Sequence, residues 1–267
     1  MSSNAPHLDR NCVELRGLQL GLRQAWRLRL LPYHAKRFRD AVQAMGFVMA
    51  MSRKRFADLE GGVLQSDDEG VVLAVVASQD AIAKECLRLE IENADRTETQ
   101  APGALAETLA SHRLLGATYG YPDCCVDGFC DGHAQAVLSP SELSDNAWLI
   151  YRAAERTRTF HPLLRAFGGA AYEATASPLR HLPCRFDCPS SVELAAALIR
   201  DLERSNPALH GRYQHAPVAD LLVHADGSVV LATGAQAVDQ GGPRLQVRDA
   251  FPLRLSFRTR RYAAATD

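Results

Sequence analysis

The chain has 267 residues, 47% of them hydrophobic, and a formal net charge of −1. That is enough apolar material to bury a core without disulfide staples, and a near-neutral total excludes polyanion binding by bulk charge alone. Arg16, Arg23, Arg27 and Arg29 interrupt the apolar stretch after Leu15, so no secretory signal is expected, and the runs "VVLAVVA" and "MGFVMAM" are too short to span a bilayer.

The expectation is a soluble, cytoplasmic protein with no membrane partner. Charge is segregated along it. Arg10 to Arg55 carries eleven basic residues against Glu14 and Asp40, and Asp58 to Glu98 carries eleven acidic residues against Lys84, Arg88 and Arg96. Either the two regions pair or form opposite solvated faces, or the basic one meets a phosphate, an RNA or an acidic partner.

Residues 8–44 are expected to be helical with a break near Pro32, because Leu15, Leu18, Leu22 and Trp26 recur at helical spacing. "FVMAMSRKRFADL" and "GVVLAVVAS" read as two strands joined around "SDDEG". "DAIAKECLRLEIE" reads as a helix with Ile82, Cys86, Leu87 and Leu89 among its apolar positions. Cys86 is read as a small core residue, and Cys12 likewise. "PGALAETLASHRLLGATYG" is helical and runs into a double cysteine. "SPSELSDNAWLIYRAAERT" has Ser139 as cap, Pro140 at the first helical position and Glu142 closing a capping box. "PSSVELAAALIRDLERS" repeats the box from Ser190 to Glu193, with Leu194, Leu198 and Leu202 along one side.

The tail turns to strands. "VADLLVHADGSVVLATG" predicts a hairpin turning at Asp226-Gly227, "QAVDQGGPR" a loop, and "RLQVRDAF" and "PLRLSFRTRRY" further strands. The order predicts an α+β fold in one domain, residues 1–267. Its parts are a helical and β N-terminal part (1–100), a cysteine-rich helical core (101–205) and a β-rich tail (206–267). The sheet is expected to be built from N-terminal and C-terminal strands.

Five of the seven cysteines lie in "GYPDCCVDGFC" and "HLPCRFDCPSS". In a reducing compartment, clustered cysteines are more often ligands or catalysts than bridges. Pro122 suits the first position of a short helix, which puts Cys124 and Cys125 in its first turn. Cys188 precedes the Ser190 cap. Helix N-termini favour thiolates, and thiolates are what a metal or an iron–sulfur cluster needs. No Cys-x-x-Cys zinc knuckle is present. Neighbouring side chains diverge, so adjacent cysteines suit the several irons of a cluster better than one zinc.

Cys130 is a further candidate ligand, and His181 a ligand or proton donor. His34, His112, His133 and His161 read as surface or core histidines. His224-x-Asp226 is better explained by a turn than by a facial iron triad. There is no phosphate-binding loop, dinucleotide fingerprint or Gly-x-Ser-x-Gly elbow.

The pair of segments resembles a pattern in uncharacterised prokaryotic proteins, Gly-Tyr-Pro-x-Cys-Cys followed by His-x-Pro-Cys-x-x-x-Cys-x-x-Ser. Here these are Gly120, Tyr121, Pro122, Cys124 and Cys125, then His181, Pro183, Cys184, Cys188 and Ser191. The resemblance covers about residues 114–197 and implies that the two segments form one site. The double cysteine is also similar to that of heterodisulfide-reductase-type cysteine-rich domains, which hold an iron–sulfur cluster. Here Val126 stands where those have glycine, and three residues separate the later pair.

The leading expectation is an iron–sulfur enzyme acting on a small molecule by lyase, dehydration or sulfur-transfer chemistry. Cys124, Cys125, Cys184 and Cys188 would hold a 4Fe–4S cluster. His181 would be the acid/base, with Asp123, Tyr121 and Arg185 orienting substrate. The alternatives are a zinc-stabilised module binding nucleic acid or a protein partner, and a metal-free thiol enzyme using the Cys-Cys pair.

Overall fold

A computed structural model describes residues 12–56, 69–99, 103–138, 153, 156–157, 161–164, 179 and 181–214, and strands between 220 and 252. The described residues up to 138 form one compact unit, and those from 153 onward a second. Helices and antiparallel strands both occur, as an α+β fold requires.

The first described helix, α1, spans Cys12–Gln19. It gives way to a turn at Gly21, whose φ of 68° suits glycine. Ala25–Leu30, "AWRLRL", is then a strand, β1, and not the continued helix expected. Trp26, Leu28 and Leu30 are buried while Arg27 and Arg29 between them are only half-buried, the two-residue period of a strand. Leu15, Leu18 and Trp26 do share one core, but from two elements folded against it, so their spacing imitated a helix. Pro32 opens α2 (Pro32–Ala44) rather than breaking a helix.

β2 (Val48–Phe56) and β3 (Val71–Ala77) are the two strands expected, and they pair antiparallel. β1 pairs with the other edge of β3, giving the order β1-β3-β2. β3 is central and has helices on both faces, which explains its continuous apolar run. One face puts Ala25, Phe56, Leu73, Val75 and Ala77 against α3 (Asp80–Thr99) and α4 (Ala104–Thr118), through Cys86, Leu87, Leu89, Leu115 and Tyr119. The other packs Trp26, Leu28, Leu30 and Val76 on α1 and α2, with Phe38 and Val42 at the centre. Each such large apolar side chain contributes about 1.5–3 kcal/mol by leaving water. Cys86 is a core residue, as expected. β2 shifts register between Met51 and Arg55. There the Ser52 hydroxyl accepts the Leu73 N–H at 2.9 Å and donates to the Lys54 carbonyl at 2.7 Å, which ties the irregular stretch to the central strand.

α4 ends in a Schellman cap. The Tyr121 N–H donates to the Gly116 carbonyl (2.9 Å), and the Gly120 N–H to that of Ala117 (3.1 Å), with Gly120 at φ 70°. Pro122 then blocks continuation, and α5 (Asp123–Leu138) starts one residue later. It is a full helix, not the short one expected. A Cβ on Gly116 would stand 2.5 Å from Val126, so glycine is what lets α4 and α5 approach.

In the second unit, α6 (Pro189–Ser205) buries Ser191, Ala195, Leu198, Asp201 and Leu202. Its cap is Cys188 and not Ser190: Pro189 occupies the first position, and no side chain closes a box. α7 (Pro207–Gln214) follows, where no helix was expected. β4 (Asp220–Val223) pairs antiparallel with β5 (Val229–Thr233), as the expected hairpin requires. "QAVDQGGPR", expected as a loop, instead contains β6 (Gln236–Asp239) and the start of β7 (Pro243–Gln246), which pair as a ribbon. β8 (Asp249–Pro252) pairs with β5, so "RLQVRDAF" is split between two sheets. Among the described residues, the β1-β3-β2 sheet is made of N-terminal strands, and β4, β5 and β8 form a separate sheet in the order β4-β5-β8. The expected Ser139 cap, the Asp226-Gly227 turn and residues 253–267 lie outside the described residues.

Candidate metal centre

Each cysteine pair is placed by local structure. The cap at Gly120 and the stop at Pro122 put Cys124 and Cys125 in the first turn of α5, where the Cys125 and Val126 N–H groups donate to the Pro122 carbonyl at 2.8 and 3.0 Å. Cys125 is buried and Cys124 exposed.

The second pair sits on a loop tied at several points. The Phe186 N–H donates to Thr157 Oγ1 at 2.7 Å, and the Phe186 carbonyl accepts the His161 N–H at 2.9 Å, with the Phe186 side chain fully buried. The Cys188 N–H closes a turn onto the Arg185 carbonyl at 3.1 Å, and its own carbonyl receives Val192 N–H at 3.0 Å as α6 begins. Cys188 is buried and Cys184 half-buried.

The Sγ atoms of Cys124, Cys125, Cys184 and Cys188 all lie within 4.8 Å of one another, and this set could hold a metal ion. No other such group of three or more Cys, His, Asp or Glu occurs among the described residues. The described cysteines form no disulfide. Divergence of neighbouring side chains does not separate Cys124 from Cys125, because the first turn of α5 leaves both sulfurs inside the set. Cys124 and Cys125 in the first turn of α5, and Cys188 as the N-cap of α6, each lie at the positive end of their own helix dipole, which favours the thiolate.

Cys130 stands apart. Five residues beyond Cys125 on a helix is a rotation of roughly 140°. Its sulfur is 3.7 Å from the Leu109 carbonyl as a thiol donor, and burial pushes its pKa up.

The four expected catalytic residues go to different places. His181 is buried beside the second thiol pair in sequence, and its Nε2 is 2.9 Å from the hydroxyl of the fully buried Ser191. Ser191 was recognised only as part of a pattern; its role as the partner of His181 needed the structure. Arg185 pairs with Asp187 at 3.1 Å. Asp123 is exposed at the start of α5.

Tyr121 packs on the core between the sheet and α3, its ring 5.8 Å from that of Tyr119. Desolvation raises its pKa, against the opposing fields of Arg27 and Arg23. It belongs with a buried polar group that the sequence did not announce. Arg27 Nη1 lies 2.9 Å from Glu90 Oε2, and the Tyr119 hydroxyl donates to Glu90 Oε1 at 2.9 Å. Burial first, and then the Glu90 charge, hold the Tyr119 pKa well above its ordinary value.

No helix among the described residues is long and apolar enough to cross a membrane. Comparison with protein-family models, curated proteins and solved structures found no match, so the functional reading rests on this chain's own residues.

Proposed function

We propose that this is a metal-binding protein in which Cys124, Cys125, Cys184 and Cys188 hold a single four-coordinate ion, zinc first among the occupants. The observation that carries this is the 4.8 Å span of the four sulfurs. Four thiolates at about 2.3 Å from one zinc lie about 3.8 Å from each other, a contraction within the reach of small side-chain rotations. A 4Fe–4S cluster seats each thiolate on a different iron and spreads the sulfurs wider. A shell of four cysteines leaves no coordination position for a substrate. The ion therefore serves to hold structure, in a protein whose function is to bind a partner.

The iron–sulfur enzyme is the second reading, favoured by one observation: Cys124 is exposed while Cys125 and Cys188 are buried. A small molecule would reach the centre on that side, with His181 moving a proton and Arg185 holding a carboxylate.

The deciding experiment is purification without oxygen and without a metal-affinity tag, followed by zinc, iron and acid-labile sulfide analysis per chain. Colourless protein with about one zinc is expected. Brown protein with about four irons and matching sulfide would replace this reading with the cluster enzyme. No metal, even after reconstitution, would defeat both and leave thiol chemistry at the cysteine pair. Cys124→Ser and Cys188→Ser should each lose most of the ion, whereas Cys130→Ser should retain it.

A further inference from the structure

The basic residues of the first unit are not neutralised evenly. On the α3 side, cations have acids beside them. Lys84 pairs with Asp80 (2.6 Å), Arg88 with Glu85 (2.6 Å) and Glu92, Arg96 with Glu107 (3.0 Å), and Lys54 with Asp95 (2.8 Å). Three cations on α2 and β2 differ from these, although their neighbours Arg37 and Arg55 do have partners. Lys36, Arg39 and Arg53 have no carboxylate within ion-pair distance among the described residues. Arg39 Nη2 rests 3.5 Å from the Met51 sulfur, and its buried Nε has no hydrogen-bond partner. Lys36 and Arg53 are exposed, with Asp40 the acid on the α2 surface.

An aromatic platform adjoins these cations. Tyr33 is 73% exposed, the largest exposure among the big apolar side chains described, and its ring lies 4.2 Å from that of His34. Steps of three residues place Tyr33, Lys36 and Arg39 along one ridge of α2, and Arg39 approaches Met51 on β2, beside the register shift that contains Arg53.

We propose that the exposed ridge of α2, together with Arg53 on β2, binds single-stranded nucleic acid, with phosphates on Lys36, Arg39 and Arg53 and a base stacked on Tyr33. An unneutralised cation row matches a phosphate backbone, and an exposed ring beside it supplies the sequence-tolerant stacking that single strands use. This stands on observations independent of the thiol set.

The test is fluorescence anisotropy with a labelled single-stranded RNA of mixed sequence, about 20 nucleotides long, from about 50 to 200 mM salt. The intact chain should bind at the low end and weaken steadily with salt. Lys36→Glu/Arg53→Glu should weaken binding by about tenfold or more and lower the slope of log affinity against log salt by about 0.7 for each phosphate no longer held. Tyr33→Ala should weaken it by about fivefold and leave that slope unchanged. Lys84→Glu/Arg88→Glu makes the same charge change on α3 and should have no such effect. If the reversal impairs folding, Lys36→Gln/Arg53→Gln replaces it with the same direction expected. No binding at low salt, equal losses from the two charge reversals, or capture by anionic phosphatidylserine vesicles in place of RNA would each overturn the proposal.

Discussion

Gly120→Ala is the substitution with the most consequences for its size. Gly120 sits at φ 70°, where an alanine pays about 1–2 kcal/mol for the left-handed backbone. A Cβ there would also lie inside contact of the Leu22 carbonyl oxygen and 3.0 Å from Arg23 Cβ. The carbonyl is backbone and cannot rotate away, and relieving such overpacking costs about 1–3 kcal/mol more. The sum is about 2–5 kcal/mol, a large part of a typical folding stability. Gly46→Ala provides the control, because Gly46 has φ 84° but nothing within 4 Å of its would-be Cβ. It should cost only the backbone part. Urea unfolding of both variants measures the difference, expected at about 1–3 kcal/mol. Because Gly120 sets where α5 begins, Gly120→Ala should also lower metal content, and Gly46→Ala should not. Equal stabilities within about 0.5 kcal/mol would show that the close approach to Leu22 has no energetic weight, and the account of how Cys124 and Cys125 are positioned would fail with it.

Two further outcomes are expected from the first unit. Glu90→Gln leaves Arg27 opposite a neutral group and should destabilise by about 2–3 kcal/mol, less than a fully buried pair would lose because a third of the Arg27 side chain is exposed. Arg27→Met/Glu90→Met should recover most of that in urea unfolding, and no loss from Glu90→Gln would show the pair to be solvated. Burial first, and then His133 and Arg27, lower the His112 pKa from 6.5 to about 3. Its ring is 5.0 Å from that of Phe129 and 5.4 Å from that of His133. The unfolded chain takes up this proton below about pH 6.5 and the folded chain only near pH 3, so stability should fall on acidification across that window. His112→Gln should flatten that dependence of the urea midpoint, and an unchanged slope would show that His112 does not set it.

Much of the arrangement near the cysteines was legible because its signals are local. A helix running to Gly-Tyr-Pro must stop, and one restarting after proline must carry Cys124 and Cys125 in its first turn. Alternation and turn residues were enough to find β2 and β3. The misreadings share a cause. β1 has three large apolar residues in six positions and follows a helix whose own spacing extends into it, so only pairing with β3 separates strand from helix. Ser190 is as good a cap by type as any, yet Pro189 claims the first helical position and passes the cap to Cys188. "QAVDQGGPR" is short and turn-rich, and its two strands exist because they pair with each other.

The sequence by itself determined the class of donor and its local setting: thiols at the starts of two helices, within an α+β chain that buries a conventional core. Tertiary structure decided which thiols count. Cys184 and Cys188 lie some sixty residues beyond Cys124 and Cys125, and spacing that long encodes no distance, so only the folded chain could bring four sulfurs within 4.8 Å and turn Cys130 aside. The same holds for Arg27 and Glu90, 63 residues apart, and for the cations of α2 and β2. Whether a charge is neutralised depends on what folding brings beside it, and composition records only that it is there.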